Sequence, residues 1–100
     1  RAIKLLKKAG YTIVDNQVPG DAQVEVDGSL HTFKLRADYM VTRRGRRYVV
    51  EVKGGATAAS VSTATTRRQL LEYATSYDVD GVLLVDAAHD AVHTITFPDL

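Results

Sequence analysis

The sequence predicts an α/β fold, a mixed sheet flanked by helices, and three observations predict it. Runs rich in β-branched and aromatic residues are separated by glycine-bearing turns, which is the pattern of hairpins. Two stretches, near Ala2–Ala9 and Thr66–Tyr77, space their apolar residues at helical intervals. Between the second of these and the C-terminus, Gly81–Val85 is an unbroken apolar run, as expected of a central strand covered on both faces.

Taken in order, Ala2–Ala9 reads as a helix that Gly10 stops, and Tyr11–Val14 as a strand. Gln17 then falls in a loop, and Pro19-Gly20 marks a turn. Gln23–Val26 leads into Asp27-Gly28, a two-residue hairpin signal, and Leu30–Thr42 follows as a long strand. A second hairpin closes on Arg44-Gly45, with Arg47–Lys53 as its return strand. Gly54-Gly55 and the hydroxyl-rich stretch Thr57–Thr65 read as a loop or a weak helix entry. Thr66–Tyr77 is the second helix, with Leu70, Ala74 and Tyr77 on its core stripe. Val92–Phe97 is a last alternating strand, ended by Pro98. A helix between the second hairpin and Gly81–Val85 would be a right-handed crossover.

Chemistry concentrates in the second hairpin. With a turn at Arg44-Gly45, Arg43 faces Arg46, and counting outward sets Asp38 opposite Glu51. Directly opposed residues lie about 4.5–5.5 Å apart on one side of the sheet. Lys53 shares the face of Glu51, because strand side chains alternate. Two carboxylates and an ammonium then converge, and a divalent cation would offset the repulsion between the acids. Alone, Glu-x-Lys on a strand is more often a solvated face with a weak ion pair. The in-register Asp38 and the apolar Val49, Val50 and Val52 around the acid favour a site.

Asp38, a hairpin, then Glu51-Val52-Lys53 resembles the PD-(D/E)XK nuclease superfamily, with Ala37 where the family name has Pro. Gln69 and Tyr73, four apart on one helix face, resemble the Gln-x3-Tyr motif of its RecB-type members. The resemblance runs from the first helix to about Val85 and implies a restriction-endonuclease-like αβββαβ core in one domain, residues 1–100. It further implies a metal-dependent nuclease, acting on DNA, in which Asp38, Glu51 and the Val52 carbonyl hold Mg²⁺ or Mn²⁺. Lys53 would position the attacking water or stabilise developing charge, and Gln69 and Tyr73 would orient the cluster or the nucleic acid. Tyr73 is also readable as a core aromatic on the helix, whatever the role of Gln69. Many relatives carry a Glu in the first helix, and Arg1–Ala9 has none, so that ligand either precedes Arg1 or is missing. The alternative is a nuclease-fold module that binds nucleic acid or assembles without cleaving.

The chain has 100 residues, 45% of them apolar and 25% charged, the make-up of an ordinary globular domain. It has no cysteine, which excludes disulfides and thiolate metal sites. No apolar run is long enough to span a membrane and no signal peptide is visible, which suits a cytoplasmic protein. Because the chain starts at Arg1 inside a helical pattern, it reads as a fragment, with further domains or a membrane tether upstream left open. A homodimer is also compatible.

The net charge of +1 conceals clusters at Arg43, Arg44, Arg46 and Arg47, and at Arg67 and Arg68. Such arginines can neutralise phosphates. At the hairpin they serve equally as a solubilising tip or as edge protection, whereas Arg67 and Arg68 are assigned to nucleic-acid contact. His31, His89 and His93 lack metal-ligand spacing, Asp86 and Asp90 suit a turn, and Ser60 and Ser62 lack nucleophile partners.

Overall fold

Seven elements follow one another in the computed structural model of the chain, which describes residues 1–56 and 59–100. They are α1 (Ala2–Lys8), β1 (Thr12–Val26), β2 (Ser29–Arg43), β3 (Arg46–Lys53), α2 (Ala64–Ser76), β4 (Gly81–Asp86) and β5 (Ala91–Ile95). The strands form one mixed sheet in the order β1-β2-β3-β4-β5. Only β3 and β4 run parallel, joined through α2, and the other neighbours are antiparallel.

The two hairpins close where paired positive φ angles allow. Asp27 and Gly28 have φ of 50° and 84°, and Arg44 and Gly45 have 54° and 76°. Both are two-residue turns whose twist matches that of the flanking strands. Alternation along β4 then divides the core. Val82 and Leu84 pack under α2 with Met40, Val49, Leu70 and Tyr73. Leu83 and Val85 pack under α1 with Leu6, Tyr11, Val41 and Val50. The unbroken apolar run of β4 thus serves two cores.

Pro19-Gly20 is not a turn, and Gln17 is not in a loop, because β1 runs through both. β1 is an edge strand, and Pro19 lies opposite Arg36 at a position that sends no ladder bond to β2, so its missing N–H costs nothing there. Gly20 serves a different purpose. A Cβ on it would stand 2.6 Å from Cζ of Tyr77, so glycine lets the tyrosine ring lie against the backbone. α2 begins at Ala64, two residues earlier than its spacing suggests, with Thr63 as N-cap. Within the stretch expected to be a loop, Thr57 and Ala58 lie outside the described residues. β5 stops at Ile95, and Phe97 packs back on the core beneath α2 instead of extending the strand. Among the described residues no helix is long and apolar enough to cross a membrane.

Candidate functional site

β2 changes neighbours in mid-strand, and the carboxylate of Asp38 sits at the change. Counting from the turn at Asp27-Gly28, the β2 residues that exchange bonds with β1 are Ser29, His31, Phe33, Leu35 and Ala37. Counting from Arg44-Gly45, those facing β3 are Arg43, Val41 and Tyr39. Alternate residues of a regular strand point the same way, so Ala37 and Tyr39 serve opposite neighbours only if the strand rolls over between them. The core agrees, since Ala37 and Met40 both pack under α2 although they are three apart. Across the ladder from Asp38, Gln17 takes up the same roll with φ of 47°.

The roll opens a gap between β2 and β3. Their pairing ends at Tyr39–Val50, one step short of the direct Asp38–Glu51 pair that the sequence suggests. Val52 would next pair with Ala37, which has turned away. The Val52 N–H donates instead to Oδ2 of Asp38 at 2.7 Å. The N–H and C=O of one strand residue point to the same side, so the Val52 carbonyl opens into the gap beside Asp38. Ala37 donates its N–H to the Tyr77 hydroxyl at 3.1 Å, and that hydroxyl donates to Val18 O at 2.7 Å. A phenol is thus inserted into the β1–β2 ladder at the roll.

Glu51 projects from β3 toward α2 and is buried, 7% exposed. Its Oε2 lies 3.2 Å from Nζ of Lys53, which alternation places on the same face. Its Oε1 lies 2.9 Å from the hydroxyl of Tyr73. Gln69 donates its Nε2 to that hydroxyl at 3.2 Å, as the one-turn spacing on α2 allows. The same hydroxyl is 3.0 Å from Arg36 O. One phenolic proton therefore faces two acceptors, the Glu51 carboxylate and the Arg36 carbonyl. Burial foremost pushes the Glu51 carboxyl above the usual carboxylate range. Its bond from Tyr73 works the other way, and the charge of Asp38 adds to the rise. Burial, and then Glu51, pushes Tyr73 well above the usual phenol range, which keeps it a neutral donor.

Asp38, Glu51, Lys53, Gln69 and Tyr73 are thus brought together, with Tyr73 both a core aromatic and a partner of Glu51. The donor set fits a hard cation in kind. It offers oxygen atoms only, from two carboxylates and the Val52 carbonyl, and it leaves the buried negative charge partly unbalanced. Among the described residues no group of three or more His, Cys, Asp or Glu forms, so a bound ion would draw on that carbonyl and on water.

The arginines divide. Arg67 and Arg68 are exposed on the first turns of α2, next to Gln69, and Arg67 donates to Val61 O at 2.8 Å. Arg43 is not a free hairpin charge. Its guanidinium donates to Ala9 O at 3.0 Å and lies 4.2 Å from the centre of the Tyr11 ring, locking the end of α1 to the sheet. Arg44 is exposed in the turn, about 20 Å along β2 from Asp38 at roughly 3.3 Å per residue. The hairpin arginines therefore stand apart from the carboxylates. Tyr77 escaped the sequence reading as a polar group, although it lies one turn beyond Tyr73 on the same helix face.

No protein-family model and no curated protein matches the sequence. Among solved structures, the crystal structure of SSO0001 superposes with a TM-score of 0.66 at 19% identity, over 93% of this chain and 44% of that one. This chain thus spans less than half of that protein. At such identity the likeness shows the fold alone, a small α/β unit with a five-stranded mixed sheet and flanking helices.

Proposed function

We propose that this chain is a divalent-metal-dependent nuclease of the PD-(D/E)XK type, built on a restriction-endonuclease-like core and acting on DNA. The observation that carries the reading is the rolled strand. It delivers Asp38 to the backbone of Val52 beside a buried Glu51 that holds Lys53 on one oxygen and Tyr73 on the other. A surface ion pair would need neither the roll nor the burial.

In this reading Asp38, Glu51 and the Val52 carbonyl hold Mg²⁺ or Mn²⁺. Such an ion, when bound, lowers the pKa of a coordinated water and offsets charge on the scissile phosphate. Lys53 stands beside Glu51 with a quarter of its side chain exposed, so its ammonium can orient a water or meet a phosphate oxygen from the solvent side. Tyr73 and Gln69 fix the Glu51 carboxylate, one oxygen of which is then aimed by α2. Arg67 and Arg68, free of ion pairs among the described residues, extend positive charge along the approach.

The test is cleavage of plasmid and of single-stranded DNA in Mn²⁺, alongside salt-titrated binding. Lys53→Ala should abolish cleavage and keep most affinity. Arg67→Ala with Arg68→Ala should weaken binding and flatten its salt dependence by roughly one unit of slope per lost phosphate contact. Binding without cleavage by the wild type, on every DNA and RNA form, would instead favour a non-catalytic module. The lack of any acid in α1 is the one feature that favours that second reading.

A further inference from the structure

β3 and β4, the parallel pair of the sheet, end side by side, and open sheets bind ligands at the carboxyl ends of such strands. Lys53 ends β3 and pairs with Asp86, which ends β4. Val82 and Leu84 face α2, so alternation puts Asp86 on that face as well, the one that carries Glu51 and Lys53. Adjacent strands lie about 4.8 Å apart, which sets Asp86 directly beside Lys53. The turn that follows is tied to the same residue, because Ala87 donates its N–H to Lys53 O at 3.0 Å.

Lys53 pairs with Glu51, and Asp86 turns both of its oxygens to His89. Oδ1 accepts the His89 N–H at 3.1 Å, which shapes the turn. Oδ2 lies 2.8 Å from Nδ1 of the His89 ring, a contact that the turn does not need. Burial alone would raise the Asp86 carboxyl, but its bonds from His89 outweigh that and hold it below its ordinary value. An ionised acceptor fixes a proton on Nδ1 and leaves Nε2 as the free end of the ring. The Asp86 side chain is 13% exposed and that of His89 63%, so the carboxylate is sheltered and the imidazole accessible. The other charges near the ring are already paired. Asp90 takes the Arg1 guanidinium, which also donates to Ala87 O at 3.0 Å, and Lys53 takes Glu51. His93, beside Leu84 on the next strand, has no hydrogen-bond partner among the described residues.

We propose that His89, its ring set by Asp86, binds the nucleic-acid backbone through Nε2, at a phosphate next to the scissile one. This role rests on the nuclease reading, whose site it extends toward β4. The gap beside Asp38 opens on the β2 side of β3, whereas Asp86 lies on the β4 side. His89 is therefore separated from the gap by at least the width of β3, which suits a flanking phosphate rather than the reacting one. The substrate strand then crosses the carboxyl ends of β3 and β4, with Lys53 between the two contacts. Because Nδ1–H is given to Asp86, Nε2 donates only when the ring is doubly protonated. The contact is then a charge-assisted bond that fades as pH rises through the ordinary histidine range, about 6.5.

Binding of labelled single-stranded and duplex DNA, followed by anisotropy in EDTA from about pH 5 to 8, tests it. Without metal, cleavage does not intervene. Wild-type affinity should fall as pH rises. His89→Gln should bind roughly three- to tenfold more weakly at the acid end and converge on the wild type at the alkaline end. Asp86→Asn keeps an oxygen for the His89 N–H but offers the ring no charged acceptor, so it should lose a similar part of the pH dependence with little change in melting temperature. His31→Gln and His93→Gln should keep the wild-type dependence. By NMR, the His89 ring should titrate at higher pH with DNA bound than without. Equal pH dependence in wild type and His89→Gln, or a His89 titration that ignores DNA, would overturn the proposal and leave the nuclease reading standing. Binding that depends on His89 in a chain that cuts nothing in Mn²⁺ would keep this contact and sink that reading.

Discussion

Removing one oxygen atom, in Tyr77→Phe, tests whether the strand roll is held as described. The Tyr77 hydroxyl accepts the Ala37 N–H at 3.1 Å and donates to Val18 O at 2.7 Å, and Ala37 is fully buried. The ring stays in place against Gly20, so the substitution leaves no large cavity. What it leaves is a buried N–H and a buried carbonyl facing a gap the width of a hydroxyl, where direct pairing is blocked by the ring itself. An unsatisfied buried donor costs about 1–3 kcal/mol. For a domain of this size each kcal/mol moves the melting temperature by about 4–8 °C, so a fall of roughly 5–20 °C is expected.

The assay is thermal melting in EDTA, followed by amide exchange at Ala37 and Val52. Exchange should quicken at Ala37 and, because Asp38 is anchored through the roll, at Val52 as well. An unchanged melting temperature with both amides still protected would refute the reasoning. It would mean that β1 and β2 close their ladder without the phenol and that the roll is encoded elsewhere.

Other outcomes follow from the same geometry. The Glu51 carboxyl is raised above its unfolded value of 4.5, so its contribution to the stability of metal-free protein is full below about that pH and fades as pH rises through the folded value. Glu51→Gln should therefore gain on the wild type in EDTA as pH rises from 4 to 8, and should lose the Mn²⁺-dependent rise in melting temperature; parallel pH curves would show that burial of the acid is not felt. Gly20→Ala places a Cβ 2.6 Å from the Tyr77 ring and should cost about 1–3 kcal/mol in urea unfolding. Arg43→Ala should lose the Ala9 carbonyl bond and the Tyr11 stack, roughly 1–2 kcal/mol in the same assay, while leaving DNA affinity near that of the wild type.

How much was legible depends on whether a feature is written in local pattern or in the way strands meet. Both hairpin turns were readable because Asp27-Gly28 and Arg44-Gly45 supply the left-handed residues that two-residue turns require. The buried β4 was readable from an unbroken apolar run, and Gln69 with Tyr73 from a spacing of one helical turn. Pro19-Gly20 misled because its local signal is that of a turn, while its actual tolerance comes from lying on the unpaired edge of β1, a tertiary fact. Arg43 misled for a similar reason. Its partners, Ala9 and Tyr11, become neighbours only when α1 folds back on the sheet.

The position of Asp38 shows where period-two reasoning gives out. Simple alternation put it directly across from Glu51, and it does lie beside that residue, but through a break in the ladder that alternation cannot anticipate. Were β2 regular through Asp38, Val52 would give its N–H to Ala37, and its carbonyl would be consumed by the same pair. The carboxylate would have no backbone donor to hold it. By rolling at Asp38, the strand spends one ladder pair and gains a fixed carboxylate and a strand carbonyl open to the same gap. The lost Ala37 bond is recovered by Tyr77, four residues beyond the tyrosine that holds Glu51. Two tyrosines one turn apart on α2 therefore divide the work, one setting the acid on β3 and the other setting the strand that carries the acid on β2. The signal for that division was present in the spacing of Gln69, Tyr73 and Tyr77, and only the register of β2 against both its neighbours gives it meaning.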